Sequence, residues 1–201
     1  MILLTSNGLS SDSLLREAGQ YIESGKAALV VTADNEYKEQ NHHVPRLTQE
    51  LQSLGCAVEC FDFDTQSPSA LAAYDVVELI GGNPYYLLHS IRQNGFTDCL
   101  RQFADKKILI GCSAGSLVLT PTLNLINLYS PELNFVGLTD LTGCNFTDVQ
   151  ILPHYSKFLN RYKSFEETCA QYEAEYNCSV IRLNDGDGVW ISKDSKTVIK
   201  K

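Results

Sequence analysis

The sequence predicts an α/β fold, a mostly parallel sheet sandwiched by helices, with a C-terminal antiparallel hairpin. Two observations support this prediction. Short apolar runs alternate with longer amphipathic segments along most of the chain, and turn signals separate short strand-like runs near its end. The 201 residues are 44% hydrophobic and 20% charged, as in an ordinary globular domain. We therefore expect one domain spanning residues 1–201.

Five apolar runs are typical of strands buried on both faces: "ILLT", "AALVVTA", "AVECFDF", "VVELIGG" and "KILIGCS". Between them, "HHVPRLTQELQSLG" and "NPYYLLHSIRQNG" have helical spacing and end at glycine. This alternation indicates a parallel sheet with helices on both faces. Near the C-terminus, "CSVIRLNDGDGVWISKDSKTVI" contains three strand-like runs separated by the turn signals "NDGDG" and "KDS", which predict an antiparallel edge.

Charge and cysteine usage exclude several classes of protein. The net charge of −8 without a Lys/Arg block argues against nucleic acid or an anionic membrane as the main partner. The seven scattered cysteines include no CxxC pair, which favours reduced thiols over disulfides or a zinc site. The chain starts without a basic leader, and no apolar run approaches the roughly 20 residues that span a bilayer. We expect a cytoplasmic protein.

The turn "GCSAG" is the strongest candidate for chemistry. It follows a strand-like run and precedes the apolar residues 117–119 of a predicted helix, so it fits the G-x-S-x-G nucleophile elbow that exposes a serine hydroxyl. Ser113 is then a candidate nucleophile. A purely structural interpretation stays open, in which the glycines permit a close strand-to-helix crossing and Ser113 caps the helix.

A second loop, "GGN", follows the strand-like run "VVELI". Its glycines allow backbone N–H groups to face a ligand, where an amide can stabilise an oxyanion. Asn83 and Pro84 suit the cap and first position of a helix, so the same residues also have a structural explanation.

A serine nucleophile needs a base, and the chain contains four histidines. His154 follows the short apolar segment "VQILP", which we expect to be a strand that delivers it to the same edge of the sheet as Ser113. His42, His43 and His89 are predicted to be surface or structural histidines.

The motifs "GGNPYYLL", "GCSAGS" and "LPHYS", in this order, resemble the serine peptidase family of dipeptidase E (aspartyl dipeptidase) and cyanophycinase. The resemblance implies a class I glutamine amidotransferase-like, flavodoxin-like fold with serine in place of cysteine. It also implies that Ser113 is the nucleophile, that His154 is the general base, and that the Gly82 and Ala114 amides form the oxyanion hole. No metal or other cofactor is required.

One family feature is missing. Dipeptidase E has an aspartate beyond its serine where this chain has Leu128, so strict Asp-X specificity is not implied. Cyanophycinases use a glutamate a few residues further along, which favours Glu132 as the tentative orienting acid. Two alternatives stay open: a Ser-His dyad in which a backbone carbonyl holds His154, and Asp140 as the acid.

We therefore expect a serine-dependent peptidase that cleaves a small peptide or related amide through a Ser-His acyl-enzyme mechanism, as a monomer or homodimer. Lys157 and Arg161 could pair with a substrate carboxylate. The alternatives are a non-catalytic small-molecule binder on the same scaffold and an esterase. An α/β-hydrolase esterase is disfavoured because the segment between Ser113 and His154 leaves little room for the strands of that fold.

Overall fold

The computed structural model describes residues 1–193 and 195–201. Within these residues, nine strands form a seven-stranded sheet of order β3-β2-β4-β5-β1-β8-β9 and a two-stranded sheet of β6 and β7. The strands are β1 (Ile2–Thr5), β2 (Gly25–Val30), β3 (Cys56–Phe61), β4 (Val76–Leu79), β5 (Ile108–Cys112), β6 (Gln150–Leu152), β7 (Val180–Arg182), β8 (Gly188–Ile191) and β9 (Lys196–Ile199).

The same described residues form eight α-helices. They are α1 (Asp12–Ala18), α2 (Val44–Ser53), α3 (Pro84–Gln93), α4 (Phe96–Lys106), α5 (Ala114–Leu119), α6 (Asn124–Tyr129), α7 (Tyr155–Leu159) and α8 (Phe165–Tyr176). From β1 to β2 and on to β3, the chain moves along the sheet in one direction, and from β4 to β5 it moves in the opposite direction. Because crossovers between parallel strands are right-handed, α1 and α2 lie on one face of the sheet and α3 and α4 on the other. The predicted fold class is confirmed.

The five N-terminal strands are parallel, and every residue of β1, β4 and β5 is buried. Their register aligns the ends of neighbouring strands, since Thr5 pairs with Cys112 and Leu79 pairs with Gly111. The loops that follow β1, β4 and β5 therefore meet at one edge of the sheet, where ligands bind in folds of this kind.

The C-terminal segment matches its prediction in part. β8 is antiparallel to both β1 and β9, which confirms the predicted hairpin. The first of the three strand-like runs differs, because β7 pairs in parallel with β6 in the separate sheet. There Val180 and Leu152 bury their side chains in one apolar cluster with Phe165 and Tyr172 of α8. The middle residue of the predicted "KDS" turn, Asp194, lies outside the described residues.

Two further observations concern membranes and thiols. None of the helices in the described ranges combines the length and the apolar character that a membrane crossing requires. All seven cysteines are present as free thiols.

Glu78 is an unusual residue in the centre of the sheet. It lies in β4 with no exposed surface, and neither of its carboxyl oxygens has a hydrogen-bond partner among the described residues. Burial raises the pKa of Glu78 to about 8, and the nearby Glu50 carboxylate adds to this effect while Arg46 opposes it. Glu78 is therefore mostly neutral at pH 7.

This raised pKa predicts a loss of stability at alkaline pH. A carboxyl group whose pKa is higher in the folded than in the unfolded chain contributes to the stability of the fold. This contribution is complete at a pH below the pKa in the unfolded chain, and it is lost as the pH rises through the pKa in the folded protein. The free energy of unfolding should therefore fall by a few kcal/mol between about pH 5 and about pH 9. Urea titrations should show a clearly smaller fall for Glu78→Gln, which keeps the shape and removes the ionisation.

Glu175→Gln provides the control, since Glu175 is exposed on α8 and its charge is solvated in both states. An equal loss of stability in the wild type and Glu78→Gln would show that Glu78 is not the titrating group.

Candidate active site

Ser113 occupies the turn between β5 and α5 with φ 51° and ψ −109°. A positive φ is costly for a residue with a side chain, so this conformation must be held by its surroundings. The Ser113 N–H donates to the Thr5 carbonyl at 3.0 Å, and the Ser116 hydroxyl bridges the Thr5 and Gly111 carbonyl oxygens at 2.9 and 2.6 Å. β1 thus holds the turn in its strained form.

The turn crosses close to β4, and this close approach explains why position 115 is a glycine. A Cβ on Gly115 would lie 2.1 Å from the Leu79 carbonyl oxygen, so only glycine fits. The predicted close crossing therefore exists. Ser113 is the N-cap residue of α5, but its side chain makes no capping hydrogen bond to the helix, so capping does not explain why a serine stands there.

His154 lies directly beside Ser113, with its Nε2 at 2.9 Å from Ser113 Oγ. It has the left-handed conformation φ 56°, ψ 30°, and its backbone N–H donates to Ser6 Oγ at 2.8 Å. The sequence placed it at this edge, and the structure brings the two residues together. The strand that precedes it is β6, as predicted, but β6 belongs to the two-stranded sheet and not to the main sheet.

Asp185 completes the arrangement. Its Oδ1 lies 2.5 Å from His154 Nδ1 and accepts a hydrogen bond from Ser6 Oγ at 2.9 Å. Partial burial opposes ionisation of this carboxyl, but the His154 charge, the hydrogen bonds from Ser6 and His154, and the Lys157 charge together lower the pKa of Asp185. A charged carboxylate therefore faces the imidazole nitrogen remote from the serine.

The expectation for Glu132 requires correction. Glu132 is exposed in the short 3-10 helix Pro131–Leu133, and Asp185 occupies the His154 nitrogen that Glu132 was expected to contact. The segment after α6 runs on the side of α3, where the Leu133 carbonyl accepts a hydrogen bond from the Asn83 side chain. The alternative of a backbone carbonyl at His154 Nδ1 is not observed either.

The other candidate positions also lie elsewhere. Asp140 is exposed and pairs with Arg92 at 3.3 Å, and Leu128 is exposed on α6. The sequence does not point to Asp185, because the resemblance places the acid between Ser113 and His154 and because "NDGDG" has the composition of a turn. The available signal was an acidic residue in a loop after the histidine.

The "GGN" loop runs beside Ser113, since a Cβ on Gly81 would lie 3.3 Å from Ser113 Cβ. Gly82 has φ 149°, and a Cβ there would lie 2.4 Å from the Ala33 carbonyl oxygen, so this backbone position requires glycine. In the described part of the chain, no residue accepts a hydrogen bond from the N–H of Gly82 or Ala114. Both donors remain available to a ligand.

Two depressions meet at Gly82, Ser113 and His154, which contribute to the walls of both. The polar depression, of about 300 Å³, is further lined by residues that include Asn7, Asn41, His42, His43, Lys157 and Asp185. The aromatic pocket, of about 100 Å³, is further lined by residues that include Leu117, Ile126, Tyr129, Phe158, Tyr162 and Phe165. Residues 1–193 and 195–201 contain no group of three His, Cys, Asp or Glu side chains arranged to hold a metal ion.

The model of peptidase family S51 matches residues 2–199 of the chain, with Ser113, His154 and both glycine loops inside the matched region. The chain belongs to peptidase family S51. The resemblance to dipeptidase E inferred from the sequence motifs is thereby confirmed, and this S51 protein is a serine peptidase.

Relatives with assigned names agree with the family. The S51 chain is 28% identical over 184 residues to an uncharacterized peptidase of Listeria monocytogenes, an alignment that covers 88% of this chain and 86% of the relative. It is 23% identical over 212 residues to Peptidase E of Escherichia coli, which covers 98% of this chain and 89% of the relative.

Solved structures agree on the fold. A crystal structure of a Listeria monocytogenes protein described as a candidate Peptidase E superimposes with a TM-score of 0.81 at 21% identity, covering 100% of this S51 chain and 98% of that one. A peptidase from an acI-B1 actinobacterium gives a TM-score of 0.73 at 17% identity, with coverages of 100% and 87%.

Proposed function

We propose that this S51 peptidase hydrolyses a small peptide or related amide through an acyl-enzyme on Ser113. The observation that carries the proposal is one continuous chain of contacts. Ser113 Oγ lies 2.9 Å from His154 Nε2, and His154 Nδ1 lies 2.5 Å from Asp185 Oδ1. These are the distances and the order that a serine nucleophile, a general base and an orienting carboxylate require.

In the first half of the reaction, Ser113 Oγ attacks the scissile carbonyl carbon while His154 Nε2 accepts the hydroxyl proton. Asp185 keeps the second imidazole proton on Nδ1 and stabilises the imidazolium that forms. The free N–H groups of Gly82 and Ala114 donate to the carbonyl oxygen as it becomes an oxyanion. The C–N bond then breaks, and His154 gives its proton to the departing amine.

In the second half, a water molecule takes the place of the amine. His154 Nε2 removes a proton from this water as it attacks the acyl carbon, and the same two amides hold the second oxyanion. The ester bond to Ser113 breaks, the serine recovers its proton from His154, and a carboxylic acid is released.

The dimensions of the site support a small substrate. Depressions of about 300 and 100 Å³ on either side of Ser113 have room for the groups next to one scissile bond. A non-catalytic binder would not need the strained serine conformation or the direct Ser113 to His154 contact, so the geometry favours hydrolysis over binding alone.

Covalent labelling tests the proposal. A fluorophosphonate probe should modify wild-type protein at Ser113, as identified by peptide mass spectrometry, because only an activated serine attacks this phosphorus centre at a useful rate. Ser113→Ala should give no labelling, whereas Ser156→Ala, at an exposed serine on α7, should be labelled like the wild type. Absence of labelling in the wild type, or labelling at another serine, would contradict the proposed mechanism and favour the binder.

A further inference from the structure

The aromatic pocket has a wall of packed rings. Phe165, which lines the pocket, is only 2% exposed, and the ring centroids of Tyr129 and Tyr162 lie 4.6 Å and 6.0 Å from its own. The Phe158 ring lies 5.6 Å from that of Tyr162. Contacts among these rings fix the shape of the pocket, so it is formed before a ligand enters.

The polar atoms of this wall are already engaged. The Tyr129 hydroxyl donates to the Phe165 carbonyl at 2.7 Å, and the Tyr162 hydroxyl lies 3.3 Å from the Ser130 hydroxyl. Among the described residues, no Lys, Arg, Asp or Glu side chain lines the pocket, and the two ring nitrogens of His154, which does line it, already contact Ser113 and Asp185. A charged substrate group would therefore lose water there without gaining a partner, while an apolar group would gain free energy from burial.

The polar depression on the other side of Ser113 has the opposite character. Partial burial, and after it the charges of His42, Arg46, Lys157 and His154, lower the pKa of His43. Lys157 and Arg161 were predicted as possible partners of a substrate carboxylate. Lys157 lines this depression, whereas Arg161 lies against the Tyr162 ring. Charged groups of a substrate thus have a place outside the aromatic pocket.

Building on the proposed function, we infer that the aromatic pocket is the subsite for the side chain of one residue flanking the scissile bond, and that it selects an apolar side chain of about leucine size. Because the pocket and the polar depression share Gly82, Ser113 and His154, an amide held at Ser113 extends into both. A cavity of about 150 Å³ holds a benzene molecule, so a pocket of about 100 Å³ suits an aliphatic side chain and not an indole.

Binding to Ser113→Ala, which cannot turn over its ligand, tests this inference by calorimetry. The probes are Ala-Ala and the dipeptides in which Leu, Asp or Trp replaces one alanine. At one of the two positions, Leu should tighten Kd roughly tenfold or more relative to Ala, since a full apolar side chain leaves water. Asp and Trp at that position should give no such gain. The same preference should appear in kcat/KM of the wild type.

Matched substitutions on α6 assign the preference to the pocket. Ile126 lines it, whereas Leu128 on the same helix is 56% exposed and does not. In the Ser113→Ala background, Ile126→Asn should remove the advantage of Leu over Ala, and Leu128→Asn should retain it. Ile126→Ala, a smaller change, should reduce the advantage, and it keeps the test valid if thermal unfolding shows that Ile126→Asn is not folded.

The inference is overturned if Leu binds no tighter than Ala at either position, or if its advantage persists in folded Ile126 variants. Failure of the proposed function has a different signature, because wild-type protein would then show neither fluorophosphonate labelling nor turnover while the binding preference could still be measured.

Discussion

Ser113→Ala is expected to lower kcat for small-peptide hydrolysis by at least about 10⁴-fold, because among the described residues only the Ser113 hydroxyl lies within hydrogen-bond distance of His154 Nε2. Among the contacts described, the Ser113 hydroxyl has only the His154 ring as a hydrogen-bond partner, and the turn is held by backbone and Ser116 contacts that the substitution keeps. Its thermal unfolding should therefore resemble that of the wild type. Hydrolysis of a dipeptide library by both proteins, followed by amine release, is the measurement.

Retention of wild-type turnover by a folded Ser113→Ala protein would exclude the acyl-enzyme mechanism. Ser156→Ala is again the matched control and should hydrolyse the library at the wild-type rate, since Ser156 is exposed on α7 and its side chain takes no part in the contacts among Ser113, His154 and Asp185.

Asp185→Asn is expected to lower kcat by roughly 10⁴-fold at neutral pH. The substitution preserves the shape of the side chain but removes the negative charge that stabilises the imidazolium, and the asparagine amide can donate to His154 Nδ1 and so favour the wrong tautomer. Since the pKa of Asp185 is lowered, the wild-type carboxylate is charged throughout the neutral range, and the loss in the variant should persist there. Steady-state kinetics on the best library substrate measures it.

Glu132→Gln separates this arrangement from the one that the sequence suggested. Glu132 is exposed and does not contact His154, so the variant should retain wild-type kcat. A large loss in Glu132→Gln together with full activity in Asp185→Asn would reverse the assignment of the orienting acid.

The sequence predicted those features that depend on short segments. The strands β1, β2, β4 and β5 could be predicted because strands buried on both faces are continuous apolar runs, and α3 because Asn83 and Pro84 mark its start. The strand β3 was also predicted, but its expected burial on both faces is wrong, since β3 is an edge strand in which Ala57 and Glu59 are exposed. The turn at Ser113 could be predicted because its flanking glycines allow the strand and the helix to cross at close distance, and this crossing depends on a short segment of the chain. His154 could be placed at the same edge because an apolar segment precedes it.

The sequence did not show what depends on long-range pairing. β7 is as strand-like as β8 and β9, and its choice of β6 as partner reflects the apolar surface of α8 that becomes available only after folding.

Asp185 shows the same limit within the site. Its segment "NDGDG" has the composition of any tight turn, and nothing local marks the second residue as different from the fourth. The tertiary structure decides, because the Ser6 N–H donates to the Asp187 carbonyl and the Ser6 hydroxyl to the Asp185 carboxylate, contacts that bring the loop before β8 to the end of β1. The sequence alone thus determined the fold class and the Ser113 and His154 candidates, whereas the contact of Asp185 with His154 and the two depressions follow from contacts between segments far apart in the chain.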